Sequence, residues 1–206
     1  KIMRELPPFY NNLELTFEEI KGLLKRGVKD RKSSFHYTTL STVDEKSTPQ
    51  SRTVILRSFD DENFLINIHS DYRASKVKDI KKNKKISLSF YDDKKKIQLR
   101  IRGDAHIKKS YENSWLKLSN WSRRCYLSEN IPGSYEDQPS SGFPEEFSVS
   151  SPSNEESKKG IENFCLILIE IKNIEWLYLA SQGHRRAISN INRNDKLLVE
   201  SSWMIP

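Results

Sequence analysis

The chain has 206 residues, 35% of them apolar and 31% charged, and its 35 Lys and Arg outnumber its 28 Asp and Glu to leave a net charge of +7. These values suit one soluble domain with its own core and favour anionic partners. The longest apolar run, "FCLILI" at 164–169, falls far short of the ~20 residues that a membrane-spanning helix needs.

Lys1-Ile2-Met3-Arg4 opens no secretory signal, and Cys125 and Cys165 stand far apart outside any metal or CxxC pattern. Both cysteines are therefore expected reduced, Cys165 within a strand, in a cytoplasmic protein with no metal site. Charge is unevenly placed. Residues 129–156 hold seven acidic residues and no Lys or Arg, so the rest of the chain carries +14.

Thr16 and Glu19 form a capping-box pair, and Phe17, Ile20, Leu23 and Leu24 share one face of a helix that Gly27 should close. Three β-rich runs follow, "SFHYTTLSTV" (34–43), "SRTVILRSF" (51–59) and "NFLINIHS" (63–70), read as an antiparallel meander. Ser70 or Asp71 is placed to cap a helix through "YRASKVKDIKKN", with Val77 and Ile80 on its buried side. "KISLSFY" (85–91) and "KIQLRIRGDAHI" (96–107) form the next strand pair, and a helix over 109–127 is expected to bury Trp115 and Leu118. The Pro- and Ser-rich stretch 128–160 reads as a long loop or lid. Strands return at 163–171, 174–181 and 185–191. At least six strands and few helices predict a mainly β protein, a small antiparallel barrel.

There is no GxGxxG, P-loop, HExxH or GxSxG, and His36, His69, His106 and His184 lack ligand spacing. What stands out is a phosphate-binding pattern: Arg52 and Arg57 on one strand, Ser70 ending the next, and Arg73, Ser75 and Lys76 in the first turn of a helix. Fixed cations, hydroxyls and free helix N–H groups together suit a phosphate monoester.

The order of these motifs resembles the pyridoxamine 5′-phosphate oxidase-like FMN-binding split barrels. "SRTVILR" followed by "HSDYRASK" is similar to that family's "R-x-V-x-x-K/R" strand and "T-[ND]-x-x-S-x-K" turn. "QLRIRG" (98–103) is similar to its "Q-x-R-x-x-G", Trp176 and Arg186 to its tryptophan and the arginine ten positions on, and "WMIP" to its closing "L-x-P". The resemblance implies a six-stranded antiparallel split barrel that binds FMN between two subunits of a homodimer.

It further implies that Arg52, Ser70, Arg73, Ser75 and Lys76 hold the phosphate and ribityl chain, with His69 nearby. Arg52, Thr53, Val54, Ile55, Leu56 and Arg57 would then run along the isoalloxazine. Arg57 falls at the flavin's polar edge, Gln98 on the ring's hydrogen-bonding edge, and Trp176 and Arg186 complete the pocket. The implied activity is hydride transfer from a small substrate to FMN, with Arg57 and His184 as the catalytic candidates. Two positions depart from the oxidase pattern. Its "R-x-H" pair is Gln182 and His184 here, and its "S-R-K" triplet is Ala74, Ser75 and Lys76.

Two other readings compete. One is a flavin- or haem-binding module without oxidase chemistry, which a haem spectrum would reveal. The other is a basic nucleic-acid-binding barrel, disfavoured because its lysines lie on turns and a helix without interleaved aromatics.

Overall fold

The computed structural model describes residues 5–206; the opening Lys1-Ile2-Met3-Arg4 lies outside them. The sheet runs through β1 (Tyr37–Val43), β2 (Pro49–Ile55), β3 (Ser58–Asp60), β4 (Leu65–Asp71), β5 (Lys85–Asp92), β6 (Ile97–Lys109), β7 (Phe164–Tyr178), β8 (Arg185–Asn192) and β9 (Leu198–Met204). All pairings are antiparallel, in the order β2-β1-β5-β6-β7-β4-β3, with β8 on β7 and β9 on β8.

Nine strands replace the six expected, yet six positions around a barrel remain. β2 and β3 are halves of one kinked strand, and the link between them closes the sheet: the Leu56 N–H donates to His36 O (2.9 Å) and the Arg57 N–H to Asn67 O (3.0 Å). β8 and β9 lie outside that ring. Within it pack Leu40, Leu56, Ile66, Ile68, Leu88, Leu99, Ile101, Ile167 and Trp176, all essentially inaccessible.

The expected strands 163–171 and 174–181 are a single strand, β7. Its register against β6 slips between Arg102 and Gly103, opposite Asn173 and Ile171. The extra residue, Lys172, switches the inward positions from Ile167, Ile169 and Ile171 to Ile174 and Trp176. A break in alternation reads as a turn in sequence; here it is a bulge. Gly103 is required at this place, since a Cβ there would lie 2.4 Å from Glu170 O.

Helix α1 (Leu13–Lys29) starts earlier than the Thr16 capping box implied. Asn12 is the cap, its side chain accepting from Leu15 N at 2.9 Å, while the Thr16 hydroxyl is buried and donates to Phe9 O and Asn12 O. Gly27 lies inside the helix rather than beyond it, packed so closely on the Phe35 backbone that a Cβ would meet Phe35 O at 2.3 Å.

The helix expected over 109–127 is two short turns, α3 (Glu112–Trp115) and α4 (Asn120–Arg123), followed by a 3₁₀ turn at Arg124–Tyr126. Ser119 recaps the chain by accepting from Ser122 N, and the Arg123 guanidinium donates to Trp115 O, ending one turn and starting another. Trp115 is buried as expected, but Leu118 is only half-buried, because the chain breaks into separate turns on either side of it. Residues 128–160 are less featureless than a loop: a 3₁₀ turn at Glu145–Phe147 buries Phe147, and α5 (Asn154–Lys158) carries a complete capping box between Ser153 and Glu156.

The segment before α1 reaches the far end of the chain. The Tyr10 hydroxyl donates to Gly183 O at 2.7 Å, Arg185 Nε donates to Asn11 Oδ1 at 2.9 Å, and Phe9 packs edge-on against Trp176 and Tyr178.

Candidate functional site

Helix α2 (Ser75–Lys82) begins at Ala74, not at Ser70 or Asp71 as the sequence suggested, and Ala74 gives it no side-chain cap. Alanine has no acceptor, so the first-turn N–H groups of Ser75 and Lys76 stay available to an anion. Three cation- or hydroxyl-bearing side chains gather here. Lys76 Nζ donates to the buried Ser70 hydroxyl at 3.3 Å, and Ser75 is exposed on the first turn. Burial first, then the neighbouring Arg52 charge, holds the Lys76 ammonium below its ordinary pKa.

Arg52 comes to this place from β2. Its guanidinium donates to Thr42 Oγ1 at 2.6 Å and lies 3.7 Å from Asp79 Oδ2, a carboxylate that also accepts from the Thr42 hydroxyl at 2.7 Å. Sequence reasoning missed Thr42 and Asp79. Their signal was weak: a threonine in a β-rich run and one acid among the lysines of α2.

Arg73 does something other than the resemblance implied. It grips Asp71 (Nε to Oδ1 3.0 Å, Nη2 to Oδ2 2.8 Å) and donates to Ser128 O at 2.9 Å and Glu129 O at 3.1 Å. Its donors are thus committed to the 128–160 segment rather than to a phosphate.

Along residues 52–57 the side chains divide. Val54 and Leu56 are buried in the core, so only their backbone can meet a ligand, whereas Thr53 and Arg57 are exposed and Ile55 half-buried. His69 packs edge-on to Phe164 at 5.1 Å with its Nδ1 buried and unpartnered. Burial, reinforced by the Arg57 charge, pushes its pKa from 6.5 down to about 4, so the ring is neutral at pH 7. Burial also pushes up the Tyr126 phenol, and the Arg57 charge works against that.

A second group forms on the other face of the sheet. Gln98, Leu177, Arg186 and Met204 lie side by side across β6, β7, β8 and β9. A cavity of about 210 Å³ is lined by Gln98, Arg100, Glu175, Trp176, Leu177 and Arg186. Three residues the sequence motifs singled out therefore meet. Glu175 and Arg100, which reasoning from motifs missed, join them: Arg100 and Arg186 both hydrogen-bond the Glu175 carboxylate, Arg186 Nη2 at 3.0 Å. A lone acid within "NIEWLYL" was the available signal. The Trp176 indole is 1% exposed and its Nε1 is buried without a partner.

His184 sits on the exposed turn before β8, in a groove of about 310 Å³ shared with Asn11, Arg185, Arg186 and Trp203. It borders the Arg186 group, not the Lys76 group. On the same face, Tyr37 and Tyr91 are 51% and 44% exposed, next to Ile55 and Gln98 respectively.

Residues 18–109 match the family model described as the pyridoxamine 5′-phosphate oxidase FMN-binding domain. Over these residues the chain is similar to that family's FMN-binding domain. This stretch contains the whole Arg52–Ser70–Lys76 group and Gln98, while Trp176, Glu175 and Arg186 lie beyond it.

Relatives agree. A pyridoxine/pyridoxamine 5′-phosphate oxidase of Legionella pneumophila (strain Paris) is 41% identical over 64 residues, 31% of this chain and 29% of that protein. The match thus spans less than a third of that relative's length. Pyridoxine/pyridoxamine 5′-phosphate oxidase 2 of Arabidopsis thaliana is 24% identical over 153 residues, covering 69% of this chain and 73% of its own.

Two solved structures share the fold. A pyridoxamine 5′-phosphate oxidase-related, FMN-binding protein of Nostoc punctiforme PCC 73102 gives a TM-score of 0.70 at 22% identity, with 98% of this chain and 99% of that chain covered. PhzG of Burkholderia lata 383, solved in complex with tetrahydrophenazine-1-carboxylic acid, gives 0.69 at 16% identity, with 98% of each chain covered. Among the described residues no helix is long and apolar enough to cross a membrane, and no cluster of His, Cys, Asp and Glu is arranged to hold a metal.

Proposed function

We propose that the protein is an FMN-dependent oxidoreductase acting on a small molecule, and that it works as a homodimer in the cytoplasm, where its two free cysteines stay reduced. The observation that carries this reading is the group at the uncapped start of α2. Arg52 and Lys76 face one place there, with Ser70 and two free backbone N–H groups, and Asp79, 3.7 Å from Arg52, and Asp71, acting on Lys76, offset them only in part. A desolvated ammonium beside a guanidinium is unfavourable until an anion joins them, and a phosphate monoester fits the donor set.

FMN bound there supplies a two-electron acceptor for oxidation of the substrate. In this reading Arg52, Ser70, Ser75 and Lys76 hold its phosphate and ribityl chain. The backbone of 53–56 and the Arg57 charge flank the ring, neutral His69 excludes water behind the ribityl region, and Gln98, Trp176 and Arg186 reach the ring from a second copy of the chain. Two observations support the second copy: the cavity beside Arg186 contains none of Arg52, Ser70, Ser75 and Lys76, and the face bearing Gln98 and Arg186 exposes Tyr37 and Tyr91.

His184 borders Arg186 on a solvent-exposed turn, where it is placed to exchange a proton with a substrate. Gln182 stands where an arginine occurs in the pyridoxamine oxidases, so a substrate other than pyridoxamine 5′-phosphate is favoured. The chain forms one domain in which 128–160 acts as a strap rather than an open lid, tied down by Arg73.

The test is the visible spectrum of the purified protein, chromatography of the cofactor released on denaturation, and sedimentation with and without added FMN. Near-stoichiometric FMN on a dimer is expected. A colourless protein that takes up no added FMN overturns the reading, and a haem spectrum replaces it.

A further inference from the structure

The Glu175 carboxylate is an odd occupant for a β-strand interior. It is 6% exposed, it faces Arg100 directly across β6 and β7, and Arg186 reaches it from β8. Burial alone pushes its pKa up, and the hydrogen bonds from Arg100 and Arg186 more than reverse this, leaving it below the usual carboxylate value. Ion pairs buried in this way contribute little net stability compared with a well-packed apolar residue, because desolvation offsets the attraction. Stability is therefore a poor account of Glu175.

The hydrogen-bond pattern offers a better one. Each arginine spends only Nη2 on the carboxylate, so Nε–H and Nη1–H of both guanidiniums have no protein acceptor among the described residues. These donors line the same cavity as Gln98. A carboxylate that takes one corner of a planar guanidinium fixes the direction of the remaining N–H groups.

We infer that Glu175 is a positioning residue that orients Arg186 and Arg100 so that their free N–H edges, with Gln98, present a donor array to an anionic or carbonyl-rich ring edge, and that it offsets part of their charge there. This rests on the proposed flavin reading and extends it: Arg100 becomes a second guanidinium for the ring, and Glu175 a brake on the positive field around it. Neutralising Glu175 should then have two effects that a purely structural role would not combine. The arginines lose their orientation, and the flavin feels more positive charge, which favours its reduced, more anionic form.

The experiment compares wild type with Glu175→Gln, Glu175→Asp and Arg100→Gln by thermal melting, FMN affinity from flavin fluorescence, and the midpoint potential of bound FMN. Glu175→Gln is expected to bind FMN about tenfold more weakly, one hydrogen bond's worth, and to shift the midpoint potential upward. Arg100→Gln should shift it downward, and Glu175→Asp should leave it near wild type.

Wild-type affinity and potential in Glu175→Gln overturn the inference while leaving the flavin reading intact. A lowered melting temperature with unchanged potential assigns Glu175 to stability and also overturns it, as does failure of both Glu175 variants to fold. Wild-type protein that takes up no FMN ends the flavin reading and the inference together.

Discussion

The two arginine-bearing groups of this protein handle charge in opposite ways. At the start of α2, Arg52 and Lys76 lie close together, offset in part by Asp79, 3.7 Å from Arg52, and by Asp71, and burial weakens the hold of Lys76 on its proton. On β6–β8, Arg100 and Arg186 share a buried carboxylate in direct contact. In the proposed reading an external anion completes the first group, whereas the second is neutralised in part by its own carboxylate. One is built for affinity, the other for direction.

That contrast breaks most visibly at Lys76. Lys76→Met should weaken FMN binding by ~1.5–3 kcal/mol, about 10- to 100-fold, through loss of a charge-assisted bond, and yet leave the FMN-free protein as stable as wild type or more so. Fluorescence titration and melting of the apoprotein check both halves. The linkage has a definite sign: because the folded state lowers the Lys76 pKa below 10.5, the unfolded chain holds more protons just below that pH, and apoprotein stability rises with pH across the window while FMN affinity falls.

Arg186→Met should do the reverse to the apoprotein. It strips one donor from buried Glu175 and should cost ~1–2 kcal/mol of stability, read from urea unfolding without flavin. Equal melting behaviour in the Lys76 and Arg186 variants would dissolve the distinction between the two groups.

His69 sharpens the comparison from the uncompensated side. With its pKa lowered to about 4, the unfolded chain binds a proton between pH 6.5 and about 4 that the folded state refuses, so stability falls as the solution is acidified through that window. A His69→Phe variant should show a flatter acid profile over the same range.

The smallest effect concerns Arg73. Arg73→Ala should leave FMN affinity within about twofold of wild type, since its donors are committed elsewhere, but limited proteolysis should cut more quickly within 128–150. A large affinity loss with an unchanged cleavage rate would return Arg73 to the phosphate.

Most strands were legible in the sequence because period-two alternation in "QLRIRGDAH" or "NFLINIHS" is a local property. The bulge at Lys172 was not: one inserted residue and an ordinary turn give the same break in pattern, and only pairing with β6 separates them. Lys76, Ser70 and Arg52 were readable as candidates because cations and hydroxyls are the residue types that suit a phosphate. Glu175 was not, since a single acid in an apolar strand acquires meaning only from arginines on two neighbouring strands. The contacts of Arg73 were hidden for a related reason. Two of its acceptors, the Ser128 and Glu129 carbonyls, lie 55 and 56 residues away, and no local pattern points to them.

The contact of Tyr10 with Gly183, 173 residues apart, has a consequence for how the molecule is made. The Lys76 group draws on residues 42–79 and can gather while the ribosome is still translating the middle of the chain. The turn carrying His184, and Arg186 just after it, finds its anchor in residues that emerged first and have waited longest. Closing so long a loop is slow relative to local pairing. A nascent chain arrested before β8 would carry the Lys76 group without Arg186, with the Tyr10 hydroxyl and the Asn11 side chain still lacking their partners at Gly183 and Arg185.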